Sequence, residues 1–553
     1  MEVEGSMAEG GSPEGSMADR EPSVDSSDSE SAACPRQAAE QFIAGVIARM
    51  EPQQPDIIQA VSAWQALSGL GRAFRRRNRR GQRRESFRAD HIDEFWSHSW
   101  HGGQWKKIWT AIYLNNSWYA SLLATLGSVA IGLLVGFGIL PVPRFQQAPA
   151  YPPDVRSRDS CICMAVGLFL YCFLLIAWRP WHRIFVDILC IDQHDSERKT
   201  AALVSMGAFL KISDTLVAAR PRVALLGMKE DPIAAQVFWD PSYISSPLVF
   251  EMAGFLHSRA ANKPAKLTIR PTVLGPGFIS LPIALSVVLL ALALIPEDVI
   301  RNERMVVAAL FAFASFYVSV AALRAYYRSA KLLETELASF TVKESRCWCC
   351  NELTDHTDEG EEVICDRQVV LRCIVTWFGT VESFEERVRT EVLDCLVDQL
   401  SKKIFTYKQC AAASLPLFWY HMDRVAVKAA EEGTTSGAFR ELARGIAWTF
   451  GALPVIFWII STLALLWRRQ YCGCCGGVVM NCLILVIVVA AFVGMLQLED
   501  LCWKVDFVDQ GNADHLLEGS CFFMCLMLLV ATLVFACARN LVSVATLRSR
   551  DRK

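Results

Sequence analysis

Phe95-Trp-Ser-His-Ser-Trp100 and Ile184-Phe-Val-Asp-Ile-Leu-Cys-Ile-Asp-Gln193 decide the reading of this 553-residue chain. The first piece is a short apolar strand that runs into a polar loop. The second is a buried strand, Ile184-Phe-Val-Asp187, that runs into an acidic loop. Two membrane-length apolar runs, Trp118–Leu140 and Cys161–Trp178, separate them. A hairpin enters and leaves on one face of a bilayer, so it can interrupt an α/β domain without breaking its sheet.

Working outward, Gln104–Leu114 has helical spacing. Ser196–Lys211 reads as a helix with Leu203, Met206, Phe209 and Leu210 on one face. Thr215-Leu-Val-Ala-Ala and Val223-Ala-Leu-Leu offer short strands, and Leu248–His257 begins another helix. Alternation of this kind predicts a parallel sheet with crossover helices. Ligands of such sheets bind at the carboxyl ends of the strands, which makes Ser97, His98, Asp187, Asp192 and Gln193 the candidate ligand-binding residues.

The chain is 53% hydrophobic, with positive mean hydropathy. A membrane-crossing helix needs roughly 20 apolar residues. Seven stretches qualify: Trp118–Leu140, Cys161–Trp178, Val273–Ile295, Met305–Leu323, Ile446–Leu466, Gly477–Leu498 and Cys521–Ala538. None contains Asp, Glu, Lys, Arg or His, which weighs against a coupled transporter. The fold class is therefore an α-helical polytopic membrane protein with an interrupted cytosolic α/β domain of flavodoxin-like type.

Net charge is −2, but its distribution is uneven. Residues 1–35 are acidic and rich in Gly, Ser and Pro, the composition of a disordered segment. No apolar h-region opens the chain, so no cleavable signal peptide is expected. Residues 36–89 combine a weakly helical stretch, with Phe42, Val46 and Ile47 near one face and breaks at Pro52 and Pro55, with an Arg-rich linker. Arg75, Arg76, Arg77, Arg79, Arg80, Arg83 and Arg84 in that linker suit anionic lipid headgroups. No nucleic-acid partner is expected. The positive-inside rule puts this block, and with it the N-terminus, in the cytosol.

The remaining segments follow: 90–117 and 179–272 as the two parts of the α/β domain, 118–178 and 273–323 as membrane hairpins, 324–445 as a cytosolic helical segment, 446–538 as three spans, and 539–553 as a basic tail. With seven spans that tail lies outside and the acidic loop Glu499–Glu518 lies inside, the reverse of the expected charge bias.

The segments Ser97-His-Ser-Trp, Phe185-Val-Asp-Ile-Leu-Cys-Ile-Asp-Gln-His-Asp, Trp239-Asp-Pro-Ser-Tyr and Phe250-Glu-Met-Ala-Gly-Phe-Leu resemble Toll/interleukin-1 receptor (TIR)-like domains. More closely, they resemble a group of multi-pass membrane proteins from single-celled algae that carry such a domain. The likeness continues through Leu267-Thr-Ile-Arg-Pro to Cys365-Asp-Arg, Trp377-Phe-Gly and Phe384-Glu-Glu-Arg-Val-Arg, roughly residues 90–410. It implies signalling or scaffolding through self-association or protein partners of the TIR-like domain. Some TIR domains cleave NAD with a glutamate on the helix after the third strand. The matching position is Glu251, preceded here by Ser245-Ser-Pro-Leu-Val-Phe250. The alternatives are thus an NAD hydrolase using Glu251, with NAD as substrate, or a channel or transporter.

Cys347, Cys349, Cys350, His356 and Cys365 could supply thiolate and imidazole ligands to a structural zinc ion, or be reduced thiols or acylation sites. Cys472, Cys474 and Cys475 could be acylated only if their loop faces the cytosol. Between Phe384 and Leu400, apolar residues at i, i+3 and i+4 predict an amphipathic helix packed on its neighbours.

Overall fold

The computed structural model describes residues 35–75, 86–97, 104–141, 160–192, 195–220, 246–258, 266–271, 274–294, 301–344, 357–358, 361–362, 365–395, 397, 406–432, 435–469, 474–504 and 515–550. Its sheet has six strands: β1 (Gln59–Ser62), β2 (Phe87–Arg88), β3 (Ile92–Ser97), β4 (Arg183–Phe185), β5 (Ser213–Arg220) and β6 (Lys266–Pro271), in the order β2-β1-β4-β3-β5-β6. β3 pairs in parallel with β4 and β5, and β5 with β6. β1 is antiparallel to both β4 and β2.

The four parallel strands, counted along the chain, therefore lie in the order 2-1-3-4, as in flavodoxin-like doubly wound sheets. Strands β3 and β5 fall where sequence periodicity predicts them. Strands β1, β2 and β6 were not expected as strands from sequence. The predicted strand through Asp187 ends at Phe185, because Asp187 begins the short helix α5 (below). Val223-Ala-Leu-Leu lies outside the described residues.

The helices in chain order are α1 (Pro35–Ala48), α2 (Ala63–Arg75), α3 (Gln104–Gly136), α4 (Ile162–Ala177), α5 (Asp187–Cys190), α6 (Ser196–Val204), α7 (Met206–Ile212), α8 (Ser246–Ser258), α9 (Leu274–Leu294), α10 (Arg301–Ala338), α11 (Asp366–Phe378), α12 (Val381–Arg387), α13 (Tyr407–Glu432), α14 (Thr435–Leu466), α15 (Cys474–Lys504) and α16 (His515–Arg550). A π segment over Ala447–Ala452 lies within α14.

Phe95, Phe185 and Phe209 stack beside the sheet, with ring centroids 4.7 and 4.4 Å apart. The first turns of α3 serve as the crossover helix between β3 and β4, with Ile108 and Ile112 buried in the same core. Helix α2 is broken at a left-handed turn through Gly69-Leu70-Gly71 that meets α3, where a Cβ on Gly71 would lie 2.7 Å from Ile108. The same helix then continues as the apolar run from Trp118. Helix α4 returns and ends at Ala177, just before β4 begins at Arg183. The amino end of β4 therefore adjoins the hairpin. The carboxyl ends of the parallel strands, which carry Ser97 and the Asp187 loop, lie at the opposite edge.

Among the described residues, four helices are long and apolar enough to cross a membrane: Lys107–Gly136, Thr435–Leu466, Gly476–Lys504 and Leu517–Cys537. Ile162–Ala177 and Gly275–Leu290 are apolar but shorter, and Met305–Leu323 forms part of α10. Four of the seven expected spans thus meet this measure there. The longer helices also take in ionisable residues that the sequence windows left out, among them Glu441, Arg444 and Glu499.

The sequence placed residues 407–432 in a cytosolic segment. In the structure α13 packs against α3, α4, α9 and α14. It runs alongside α3 in the same direction. Lys408 sits over Trp118, Met422 reaches Gly132, and Ala426 and Ala429 meet Gly136. Trp419 is fully buried against Gly167 of α4 and donates from Nε1 to Thr125 Oγ1 at 3.1 Å.

Farther along, His421 Nδ1 and Arg424 Nε each lie 3.2 Å from Glu441 Oε2 on α14. Arg444 Nε donates to Glu499 Oε1 of α15 at 2.8 Å. At the other end of the bundle Arg324 of α10, fully buried, donates to the carbonyls of Trp467 and Gly477 (both 2.9 Å) and to Asn481 Oδ1 (2.6 Å). It ties the end of α14 to the start of α15.

Helix α1 differs from its expected face. Phe42 points outward at 73% exposure, while Glu40, Ala44 and Ile47 are buried. The buried face meets α11, where Trp377 Nε1 donates to Ala48 O at 2.9 Å and Cys365 N to Glu40 Oε1 at 3.2 Å. The amphipathic stretch beginning at Phe384 packs as expected, with Phe384, Val388 and Val392 buried.

Candidate functional site

The strand order reverses at β3, so the crevice between the carboxyl ends of β3 and β5 is where a doubly wound sheet would take a ligand. Ser97 ends β3 and pairs with Ala218. Asp187 opens α5, and its Oδ1 accepts from Ile188 N at 2.7 Å, so it shapes the turn as well as lining the edge. Asp192 follows, half-buried. His98 and Gln193 lie outside the described residues. Lys107, which sequence reasoning missed, interacts electrostatically with Asp187. Helical spacing alone gave no sign of that pairing.

Cys190, the first residue of the Cys-Ile-Asp-Gln motif, is buried. It accepts from Val186 N at 3.4 Å, and burial pushes its thiol up to about 12. It is a structural thiol rather than a nucleophile.

Glu251 lies on α8, which follows β5, the third parallel strand. It stands beyond the first turn of the helix. Its flanking residues Phe250, Met252, Ala253 and Phe255 are buried, and its Oε2 atom is enclosed. α8 is clamped between α7 and α11. A Cβ on Gly254 would meet Leu210 at 2.9 Å, and His257 stacks on Trp377 at 5.5 Å. Burial holds the His257 imidazole below its usual value.

Of the proposed zinc ligands, Cys365 is fully buried at the start of α11. Cys347, Cys349, Cys350 and His356 lie outside the described residues. In the Arg-rich block, Arg75 ends α2, and Arg76, Arg77, Arg79, Arg80, Arg83 and Arg84 also lie outside them. At the amino ends of the strands His91 lies 3.5 Å from Asp93 and 3.2 Å from Asp214. The three side chains form a partly exposed cluster, with ligand atoms within 4.8 Å of one another, at the edge opposite the crevice.

No protein family, curated protein or solved structure matches this chain.

Proposed function

We propose that the protein is a membrane-anchored signalling or scaffold protein that acts through its cytosolic α/β module, a TIR-like interaction domain. The observation that carries this reading is the parallel order β4-β3-β5-β6, which is the 2-1-3-4 order of flavodoxin-like domains. It occurs in the part of the chain whose residues resemble TIR-like domains. Because the first crossover is the stem of a membrane helix, the module is fixed relative to the bilayer. Confinement to a surface raises the effective concentration for pairwise contacts. Single-molecule counting of full-length protein in lipid bilayers tests this. Density-dependent dimers or larger clusters are expected, and strict monomers at every density would refute it.

The same reading gives the topology. α13 supports an eighth crossing, since it runs the length of the hairpin helix α3 from Trp118 to Gly136. Counting it returns the basic tail 539–553 to the cytosol with the N-terminus. It also moves residues 505–514 outside and brings Cys472, Cys474 and Cys475 to the cytosolic, acylation-competent side. The charge conflict of a seven-span arrangement disappears. A protease site after Lys553 should be cleaved only when the cytosolic face is accessible, and cleavage from the opposite face would return the count to seven.

A second reading is an NAD hydrolase using Glu251. The position of α8 after the third parallel strand favours it. NAD turnover in nanodiscs that disappears in Glu251→Ala would establish it. A channel or transporter has less support, because Glu441 and Glu499 are engaged by His421, Arg424 and Arg444.

A further inference from the structure

Between α3, α4, α9 and α13 lies a cleft of about 170 Å³, at the level where the apolar part of α3 begins. Its walls are Leu114, Phe278, Pro282, Ala412 and Ala413. Its polar groups are Tyr113, Ser117, Ser121, Tyr171, Lys408 and Gln409. Tyr171 is 3% exposed and Ser121 5%, yet neither side-chain hydroxyl has a hydrogen-bond partner among the described residues. Neither hydroxyl is among the fully enclosed unpartnered atoms, so both open onto the cleft and can donate to an acceptor that enters it. Lys408 has no carboxylate partner among the described residues. Its ammonium lies 5.7 Å from the centre of the Trp118 ring. Helices α3, α4 and α9 contain no acidic residue, and the first acid on α13 is Asp423. That acid stands about 22 Å along the helix from Lys408 at 1.5 Å per residue. The cleft therefore presents one cation and several hydroxyl donors, with no acid on its four helices nearer to Lys408 than Asp423.

Aromatic residues set the depth of this cleft. Trp118 is exposed, and Tyr119 stacks on Trp178 at 4.5 Å beside it. Trp and Tyr concentrate at the level of lipid headgroups. Leu114 and Leu122, one turn to either side of Trp118, are also exposed. The rim of the cleft is thus apolar and faces where acyl chains would lie, while the interior is polar and cationic.

We propose that this cleft binds the phosphate of an anionic phospholipid from the cytosolic leaflet. Lys408 pairs with the phosphate charge, Tyr171 and Ser121 donate to its oxygens, and the acyl chains run along Leu114 and Leu122. The site rests on the membrane orientation given above. It would make bundle packing respond to leaflet composition at the helix that joins the hairpin α3–α4 to α14.

The test is native mass spectrometry of full-length protein released from nanodiscs of phosphatidylcholine doped with phosphatidic acid, with Lys408→Gln and Tyr171→Phe beside the wild type. The wild type should retain one phosphatidic acid through delipidation that strips the rest. Lys408→Gln should weaken retention about fivefold, or ~1 kcal/mol for one basic residue. Tyr171→Phe should weaken it while the Arg-rich linker keeps its own loosely held lipids. Equal retention by wild type and Lys408→Gln would overturn the proposal, as would displacement of the retained lipid by inorganic phosphate alone. Labelling of Lys408→Cys from the cytosolic side checks the orientation separately. Labelling from the other side, while the wild type still retains its phosphatidic acid and Lys408→Gln does not, would reject the leaflet and leave the site standing.

Discussion

Asp423 is the group whose removal should damage the bundle most locally. Its side chain is fully buried and accepts from Cys163 N at 2.9 Å, Met164 N at 3.0 Å and Ser160 Oγ at 3.1 Å. It thereby caps the start of α4 from a different helix, at a terminus where Cys161 provides no side-chain cap of its own. Hydrogen bonds to a charged acceptor are worth about 1.5–3 kcal/mol each, and a buried donor left unsatisfied costs about 1–3 kcal/mol. Some relaxation and water entry are expected, so Asp423→Ala should destabilise the α4 terminus by roughly 3–5 kcal/mol. Asp423→Asn keeps one acceptor oxygen and should lose about half of that.

Cys163, fully buried beside the cap, reports the opening. Its labelling by a small maleimide, resolved by mass spectrometry, should rise on the order of 10²–10³-fold in Asp423→Ala if local opening limits access. Labelling of the buried Cys373 on α11 should stay at the wild-type rate. If Cys163 in Asp423→Ala reacts no faster than in the wild type, the α13–α4 cap does not hold this terminus and the placement of α13 inside the bundle is wrong.

Three further outcomes follow from the packing. Gly167→Leu would drive a side chain into Trp419, whose ring already lies 2.5 Å from where a Cβ would stand. It should cost about 1–3 kcal/mol or more, read as a lower midpoint in detergent-titrated unfolding. Arg324→Met should leave the Trp467 and Gly477 carbonyls without their donor. It should cost about 3 kcal/mol and raise protease cutting between α14 and α15. Glu94 gives a pH dependence: burial pushes its carboxyl upward, but His182, 3.7 Å away, and the Trp96 N–H at 2.7 Å outweigh burial and hold it below its ordinary value of 4.5. A depressed folded-state value stabilises the fold above about pH 4.5, and the contribution is lost as the pH falls through that depressed value. Glu94→Gln should therefore lose less stability than the wild type on acidification, measured by thermal unfolding.

The α/β part was legible where strands have an apolar run and a defined end, as in Ile92–Ser97 and Thr215–Ala219. β1 was not, because Gln59-Ala-Val-Ser62 is too short for alternation to register. α13 escaped for a different reason. Tyr407–Glu432 has a mixed composition, and hydropathy windows reward lipid-facing surface. α13 is surrounded by other helices, so its polar residues answer to protein partners: Asp423 to α4, and His421 and Arg424 to Glu441. The pairing of α1 with α11 joins residues more than 300 positions apart, and no local pattern announces such a contact. At the candidate site, Asp187 and Asp192 could be read from the acidic loop. Lys107 could not, because its relevance arises only when α3 folds back along the sheet.

The placement of an apolar helical hairpin inside the first crossover bears on how this protein is made and destroyed. β3 lies inside the parallel sheet, and its neighbour β4 is synthesised only after residues 98–182. The sheet therefore cannot close until the hairpin has been made, so a chain whose hairpin fails to fold also displays an unfinished sheet edge to quality control. The converse holds for turnover. No single cut separates the α/β module from the helical bundle, because β3 and β4 remain attached to opposite ends of the same two apolar helices.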